Sequence, residues 1–188
     1  MADETAKGRT EAGEPTRLEQ VAARRAAEAK ATMPDFSVTA QLDAAPAEGP
    51  LLRAVARALR EVPQANGAYR DGRAERHSRV NLAVALPGPV APTLFDADTR
   101  NAPALAAKLA ELRDRDPESF TAAELAGATI TVTGLGVAGL ASLAPVLVPR
   151  QATALGVAGA HLTLVCDARV LTAGDAARFL ACVRTSLG

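Results

Sequence analysis

Residues 129–133 read Thr-Ile-Thr-Val-Thr, an unbroken β-branched run, and lead directly into Gly134-Leu135-Gly136-Val137-Ala138-Gly139. β-branched side chains are stiff at χ1 and favour the pleated surface of a sheet. The glycines that follow supply a tight turn to which another group can come close. The chain must therefore place a strand in a sheet here, although much of the remainder is rich in alanine with helical spacing.

The other segments fill in around this strand. Residues 18–31 form an alanine-dominated helix with Leu18, Val21 and Ala22 on one side, stopped by Thr32-Met33-Pro34. Residues 36–42 alternate as a strand, and 51–61 carry a helical stripe of Leu51, Leu52, Val55, Ala56 and Leu59. Asn66-Gly67 and Asp71-Gly72 are turn pairs flanking a short strand at 68–70. Strands are expected at 80–86, 90–95, 154–157 and 162–166. Helices are expected at 102–115 and 175–187, and a short one from Thr121, where Thr121-Ala-Ala-Glu124 is a capping-box pattern. Mixed strands with helices on one side make the expected class α/β, a two-layer sandwich with a mixed sheet. Residues 1–15 are polar and read as a disordered tail, leaving 16–188 as a single domain.

Bulk properties narrow the function. Only 3% of residues are aromatic, against 48% hydrophobic, so the core is built from Ala, Val and Leu. Each such side chain buries less area than an aromatic one, so tight packing, with contacts between copies as a further source, is expected to supply more of the stability. Lys plus Arg and Asp plus Glu are equal at 21 each, giving no electrostatic case for nucleic acid or an anionic membrane. Two cysteines give neither a disulfide framework nor metal-ligand spacing. With no signal-peptide pattern and no uninterrupted apolar span, a cytoplasmic location is expected.

The closing segment, Cys166-Asp167-Ala168-Arg169-Val170-Leu171-Thr172-Ala173-Gly174-Asp175-Ala176-Ala177-Arg178-Phe179-Leu180, resembles the end of the catalytic core of the dihydrolipoamide acyltransferases of 2-oxoacid dehydrogenase complexes. Those enzymes share the chloramphenicol acetyltransferase fold. Their D-H-R-x-x-D-G motif is matched at Asp167 and Arg169, and the helix after it at 175–180. Ala168 stands where the family has its His, Thr172 where it has the second Asp, and Ala173 where it has the Gly. Collinear likenesses run along the chain: 17–36, with Asp35 in place of a His; 51–66, through Pro63 and Asn66; 79–98, through Gly88, Pro92 and Asp98; 127–136; and 149–157. The segments 43–51 and 157–167 are shorter than in the family. The likeness begins without lipoyl-bearing or subunit-binding domains, so the chain is not expected to act alone as a complete complex subunit with a swinging arm.

In the resembled enzymes an imidazole takes the proton from a thiol and a hydroxyl donor holds the oxyanion. That is general-base catalysis with oxyanion stabilisation. Ala168 cannot accept a proton. Thr133 matches the hydroxyl donor and is the candidate catalytic residue, with Cys166, Ala168 and Thr172 lining the site and Asp167 and Arg169 a structural pair. If residues 161–168 are one unbroken strand, Cys166 shares the face of Ala168 about 6.6 Å away, and His161 faces the other side about 23 Å up the strand. His77 reads as a surface residue in a polar segment. Gly134 to Gly139 also matches a G-x-G-x-x-G pattern, which a tight turn accounts for.

The resemblance implies a homotrimer with sites between subunits and no covalently bound cofactor. The expected ligand is an acyl thioester on coenzyme A or a carrier protein. Two functions compete: a divergent acyltransferase without the imidazole base, and a non-catalytic trimeric scaffold or partner-binding pseudoenzyme.

Overall fold

The computed structural model of the chain describes residues 12–188; the greater part of the expected N-terminal tail lies outside them. Thr16 caps α1 (Arg17–Thr32) through a reciprocal pair of bonds with Glu19. Then follow β1 (Asp35–Gln41), α2 (Glu48–Glu61), β2 (Gly67–Arg70), β3 (Arg73–Arg76), β4 (Leu82–Val84), β5 (Thr93–Leu94), α3 (Ala102–Arg113), β6 (Ile130–Thr133), β7 (Thr153–Ala158), β8 (His161–Asp167) and α4 (Ala173–Leu187).

Six strands make one mixed sheet in the order β1-β8-β7-β6-β4-β5. β4, β6 and β7 run parallel, while β1, β5 and β8 are antiparallel to their neighbours. β2 and β3 form a separate hairpin. One sheet face carries Leu162, Leu164 and Cys166 of β8, Leu155 and Val157 of β7, and Ile130 and Val132 of β6. It packs against Leu51, Leu52, Val55 and Leu59 of α2, Leu105, Leu109 and Leu112 of α3, and Phe179, Leu180 and Val183 of α4. Burying such a Leu or Val contributes roughly 1.5–3 kcal/mol each, which makes this face the main core.

The opposite face is covered differently. Ala154 and Val165 pack there against Ala29, Met33 and Leu147. The irregular stretch 140–148 crosses β7 at Gly156, where a Cβ would overlap the Leu143 carbonyl oxygen and sit 2.9 Å from Pro145 Cδ. Both faces of the strand ends are thus covered.

The structure departs from the sequence expectations at several elements, β4 among them, which spans only Leu82–Val84 of the expected 80–86. β3 was missed. The strand expected at 90–95 is only Thr93–Leu94. Thr121 and Glu124 do exchange the expected bonds, with Glu124 N donating to Thr121 Oγ1 at 3.3 Å and Thr121 N to Glu124 Oε2 at 2.9 Å. No α-helix grows from them, because Gly127 turns the chain with φ +75° shortly after. Among the described residues, no helix is long and apolar enough to cross a membrane.

Candidate functional site

β8 ends at Asp167, and residues 168–170 form a turn. The Asp167 side chain is completely buried. Its Oδ1 accepts from the Arg169 backbone N–H at 3.0 Å and from Arg169 Nε at 2.9 Å, and its Oδ2 accepts from Nη2 at 2.7 Å. The carboxylate holds the guanidinium's proton more tightly than usual, so Arg169 titrates above its ordinary range. The guanidinium also lies over the Tyr69 ring, 4.4 Å from its centroid. The Ala168 N–H donates to Pro34 O at 2.9 Å, and Val170 and Leu171 N–H both donate to Asp167 O at 3.0 Å. Ala168 is thus an exposed methyl on a turn fixed from several sides.

Thr172, expected to line the site, engages its hydroxyl in a local cap. It is the N-cap of α4: its Oγ1 accepts from Asp175 N at 3.2 Å and donates to Asp175 Oδ2 at 2.7 Å, while its own N–H donates to the same carboxylate at 3.1 Å. These bonds hold the Asp175 carboxyl below its ordinary range. The motif position that reads as site-lining serves as a helix start.

Cys166 must also be corrected. It is fully buried in the main core, in register with Thr153 of β7 and Phe36 of β1. Burial, with a smaller push from the Asp175 charge, raises its thiol to about 12. The strand stops at Asp167, so the alternation that would have set Cys166 and Ala168 on one wall does not extend that far. The thiol faces the helices while residue 168 faces solvent.

Thr133 ends β6, half-buried, in register with Gly156 of β7. Gly156 is in turn opposite Thr163, and Thr163 opposite Thr39, whose hydroxyl lies 2.9 Å from that of Thr163. Thr133 therefore belongs to a row across the sheet face away from α2 and α4. The turn after it requires glycine at 134, where φ is +91° and a Cβ would overlap the Val157 carbonyl oxygen. Arg113 at the end of α3 pins this turn. It bonds both Glu48 carboxylate oxygens at 2.6 Å and donates to Leu135 O at 3.2 Å.

Thr133 and Ala168 are not brought together within one chain. The row of Thr133 crosses β8 at Thr163, five residues before Ala168. That separates them by about 16 Å along the strands and about 10 Å across them.

Neither histidine replaces an imidazole at 168. His161 starts β8 opposite Gln41, at the far end of the strand. His77 is not the plain surface residue the sequence implied. It follows β3 at the foot of the hairpin, where its N–H donates to Asn66 O at 2.8 Å and its carbonyl accepts from Asn66 Nδ2 at 3.0 Å. His77 Nε2 and Asn66 Oδ1 are buried without a partner among the described residues. A cleft of about 480 Å³ opens between this hairpin and the turn after β8, lined by Gln64, Ala74, Glu75, Arg76 and Val170. Among the described residues, no group of three His, Cys, Asp or Glu side chains could hold a metal ion.

The sequence model of the 2-oxoacid dehydrogenases acyltransferase (catalytic domain) family matches residues 50–188. The dihydrolipoyllysine-residue acetyltransferase component of the pyruvate dehydrogenase complex of Corynebacterium glutamicum is 29% identical over 163 residues, 72% of this chain and 24% of that protein. The corresponding protein of Mycoplasma capricolum is 27% identical over 153 residues, 69% of this chain and 35% of its own length. The chain thus spans only about a quarter to a third of these relatives. Among solved structures, the cubic core of the pyruvate dehydrogenase multienzyme complex superposes with TM-score 0.87 at 23% identity, covering 96% of this chain and 92% of that one. Azotobacter vinelandii dihydrolipoamide acetyltransferase, solved to define the catalytic roles of a serine, a histidine and an asparagine, gives TM-score 0.86 at 23% identity with the same coverage. Chloramphenicol acetyltransferase gives 0.60 at 14% identity, covering 93% and 96%. These superpositions establish a shared fold.

Proposed function

We propose that this chain, which belongs to the 2-oxoacid dehydrogenase acyltransferase catalytic-domain family, binds an acyl thioester at a site completed between copies of itself, without an imidazole base at position 168. The observation that carries this reading is the placement of Thr133 and Ala168 at opposite ends of the sheet. A site that uses both needs the Thr133 end of one copy against the Ala168 end of another. The catalytic histidine and asparagine of the Azotobacter enzyme are spaced as Ala168 and Thr172 are. In this chain that spacing falls on a methyl group and a helix cap.

The chemistry left to such a site is positioning and polarisation. Holding a thioester against its acceptor lowers the barrier by prepaying orientation. A hydroxyl at Thr133 can donate to the carbonyl oxygen as negative charge develops on it. Proton removal from the acceptor thiol is not served by residue 168, so an acceptor that is already ionised or otherwise nucleophilic fits best. Residues 16–188 act in this reading as one acyltransferase-like domain and assemble as a homotrimer. The exposed apolar side chains Val137, Leu140 and Val146, on the stretch that follows Thr133, supply surface for that contact.

The burial of Cys166 and the commitment of Thr172 to a cap favour a second reading, a scaffold that has kept the fold and lost the reaction. Three measurements separate the readings: light scattering for the trimer, acetyl transfer from acetyl coenzyme A to dihydrolipoamide, and direct binding of coenzyme A. Thioester binding with negligible transfer supports the first reading. A trimer that binds no thioester supports the scaffold, and a monomer removes the shared site altogether.

A further inference from the structure

The hairpin β2–β3 stands outside the main sheet and contributes no residue to either apolar cluster. Within it only Gly67 and Ala68 are buried; Tyr69 is half-buried, and Arg70, the turn and all of β3 are exposed. An element with so few buried apolar contacts opens at a fraction of the global stability. What holds this one is polar and gathered at its foot. The His77 N–H donates to Asn66 O at 2.8 Å, and the Ala152 N–H donates to Gly67 O at 2.7 Å. Asn66 Nδ2 donates back to His77 O at 3.0 Å and to Arg79 O at 2.9 Å.

The bonding at this foot is incomplete. His77 Nε2 is buried with no partner among the described residues, and so is Asn66 Oδ1, on a residue only 2% exposed. A buried polar atom without a partner is costly, and a charged one far more so. A second proton would make both nitrogens of the His77 ring donors and give the ring a charge.

The surrounding charges offer that proton nothing. From α2 comes Arg60, whose Nη1 donates to Ser78 O at 2.9 Å. β3 brings Glu75 and Arg76, both exposed, and the segment after it brings Arg79. Arg150 lies two residues before Ala152 at the start of β7. Of the carboxylates in the turn 96–98, Asp96 is taken by Arg79 and Asp98 Oδ2 by Arg60 at 2.7 Å. Asp98 Oδ1 is buried without a partner, but Arg60 stands between it and Ser78 by bonding both residues. Four cations thus surround the foot against three carboxylates, two of them already committed.

We infer that His77 is an acid-operated latch for the β2–β3 hairpin: the neutral imidazole closes the foot, and a second proton on the ring releases it. Leaving the foot takes the ring to water and breaks the bonds that Asn66 and Arg60 make to residues 77–79. The released hairpin draws Tyr69 from under the Arg169 guanidinium, which carries the change to the turn at Ala168. The open form binds a proton that the closed form does not, so acid favours opening. This device is independent of what the site at Ala168 and Thr133 binds.

Amide hydrogen exchange of the full chain, corrected for the intrinsic effect of pH, tests this. A freed imidazole takes its proton near pH ~6.5, so hairpin opening should rise about tenfold between about pH 7.5 and about pH 5.5. Protection at residues 67–76 should fall by that factor, while β6 and β7 keep theirs. His77→Gln should make hairpin protection equal at the two pH values, and His161→Gln, at the far end of β8, should leave the acid response intact. If His77→Gln itself loosens the foot, the ring signals supply a second reading. The chain has two histidines, so His161→Gln leaves one imidazole resonance, which should shift in step with hairpin exchange. Hairpin protection that is unchanged or increased in acid overturns the latch. So does an acid response that survives His77→Gln, or one shared equally by β6 and β7.

Discussion

Asp167 and Arg169 grip each other across Ala168, the buried carboxylate taking the guanidinium at 2.9 and 2.7 Å and the backbone N–H of Arg169 at 3.0 Å. The residue between them has no freedom to move without breaking this clamp. Arg169→Ala leaves a completely buried carboxylate alone. Losing one member of such a pair costs about 3–5 kcal/mol, and the partly exposed guanidinium places this case near about 3 kcal/mol. Chemical denaturation of Arg169→Ala should show that loss without a change in m-value. An effect below about 1 kcal/mol would mean that the clamp is ornamental.

The two thiols should separate cleanly. Cys166, with its thiol raised to about 12 in the core, is almost wholly protonated at neutral pH. Cys182 is only partly buried. A thiol reagent at neutral pH should label one cysteine in the folded chain and both after denaturation. Because the folded thiol titrates above its ordinary 9.0, its contribution to stability is complete below about pH 9 and lost as pH rises toward 12. Rapid labelling of Cys166 in the native state would contradict its placement.

Gly156 is the point at which the stretch 140–148 crosses the sheet. Gly156→Ala puts a methyl group into the Leu143 carbonyl and against Pro145. Overpacking of this kind costs about 1–3 kcal/mol. The crossing stretch should lift, giving new proteolytic cleavage between Leu140 and Val148 while the main core stays protected. Unaltered cleavage would show that the stretch is held from elsewhere.

Glu124 gives a pH signature. Bonds from Arg115 and from the Thr121 hydroxyl and backbone hold its carboxyl down to about 2, against an ordinary 4.5. A depressed carboxyl stabilises the fold above its unfolded value, and that contribution is lost as pH falls from about 4.5 through about 2. The melting temperature of the unmodified chain should fall over this window more steeply than that of Glu124→Gln, measured in the same buffers. Parallel curves would remove Glu124 from the acid response.

At the proposed site, Thr133→Val keeps shape and removes a hydroxyl. Any residual acyl transfer should drop by about 10²–10³, the usual cost of one oxyanion donor, with the melting temperature nearly unchanged. Ala168→His with Thr172→Asp should raise transfer only modestly; Asp caps a helix as well as Thr does, so α4 should persist. Full recovery to the rate of an intact relative would show that the rest of the site had been preserved.

Much of this architecture could be read from residues alone, and the failures have definite causes. The β-branched run of β6, the alternation of β1 and β8 and the apolar stripes of α2 and α3 each reflect a local period, and each element formed. β3 escaped because Arg73-Ala74-Glu75-Arg76 has no apolar alternation. Its pairing comes from the Asp71-Gly72 turn, with φ of +48° and +80°. Cys166 was misplaced because both faces of β8 are covered, so alternation could say that Cys166 and Asp167 part company but not which of them meets the helices. Thr172 was read through a catalytic motif, whereas Thr172 and Asp175 form a capping box whose Asp lies three residues on. The cleft at the hairpin could not be foreseen, since it joins residues 64–76 to residue 170 through tertiary contact alone.

The stacking of Arg169 on Tyr69 has an optical consequence. The chain has one tyrosine and no tryptophan, so its intrinsic emission comes from a single ring, and that ring lies against the turn carrying Ala168. Any ligand, neighbouring copy or substitution that moves the turn must alter the stacking and so the tyrosine fluorescence. The protein carries an unlabelled reporter at the place where its chemistry is most in question.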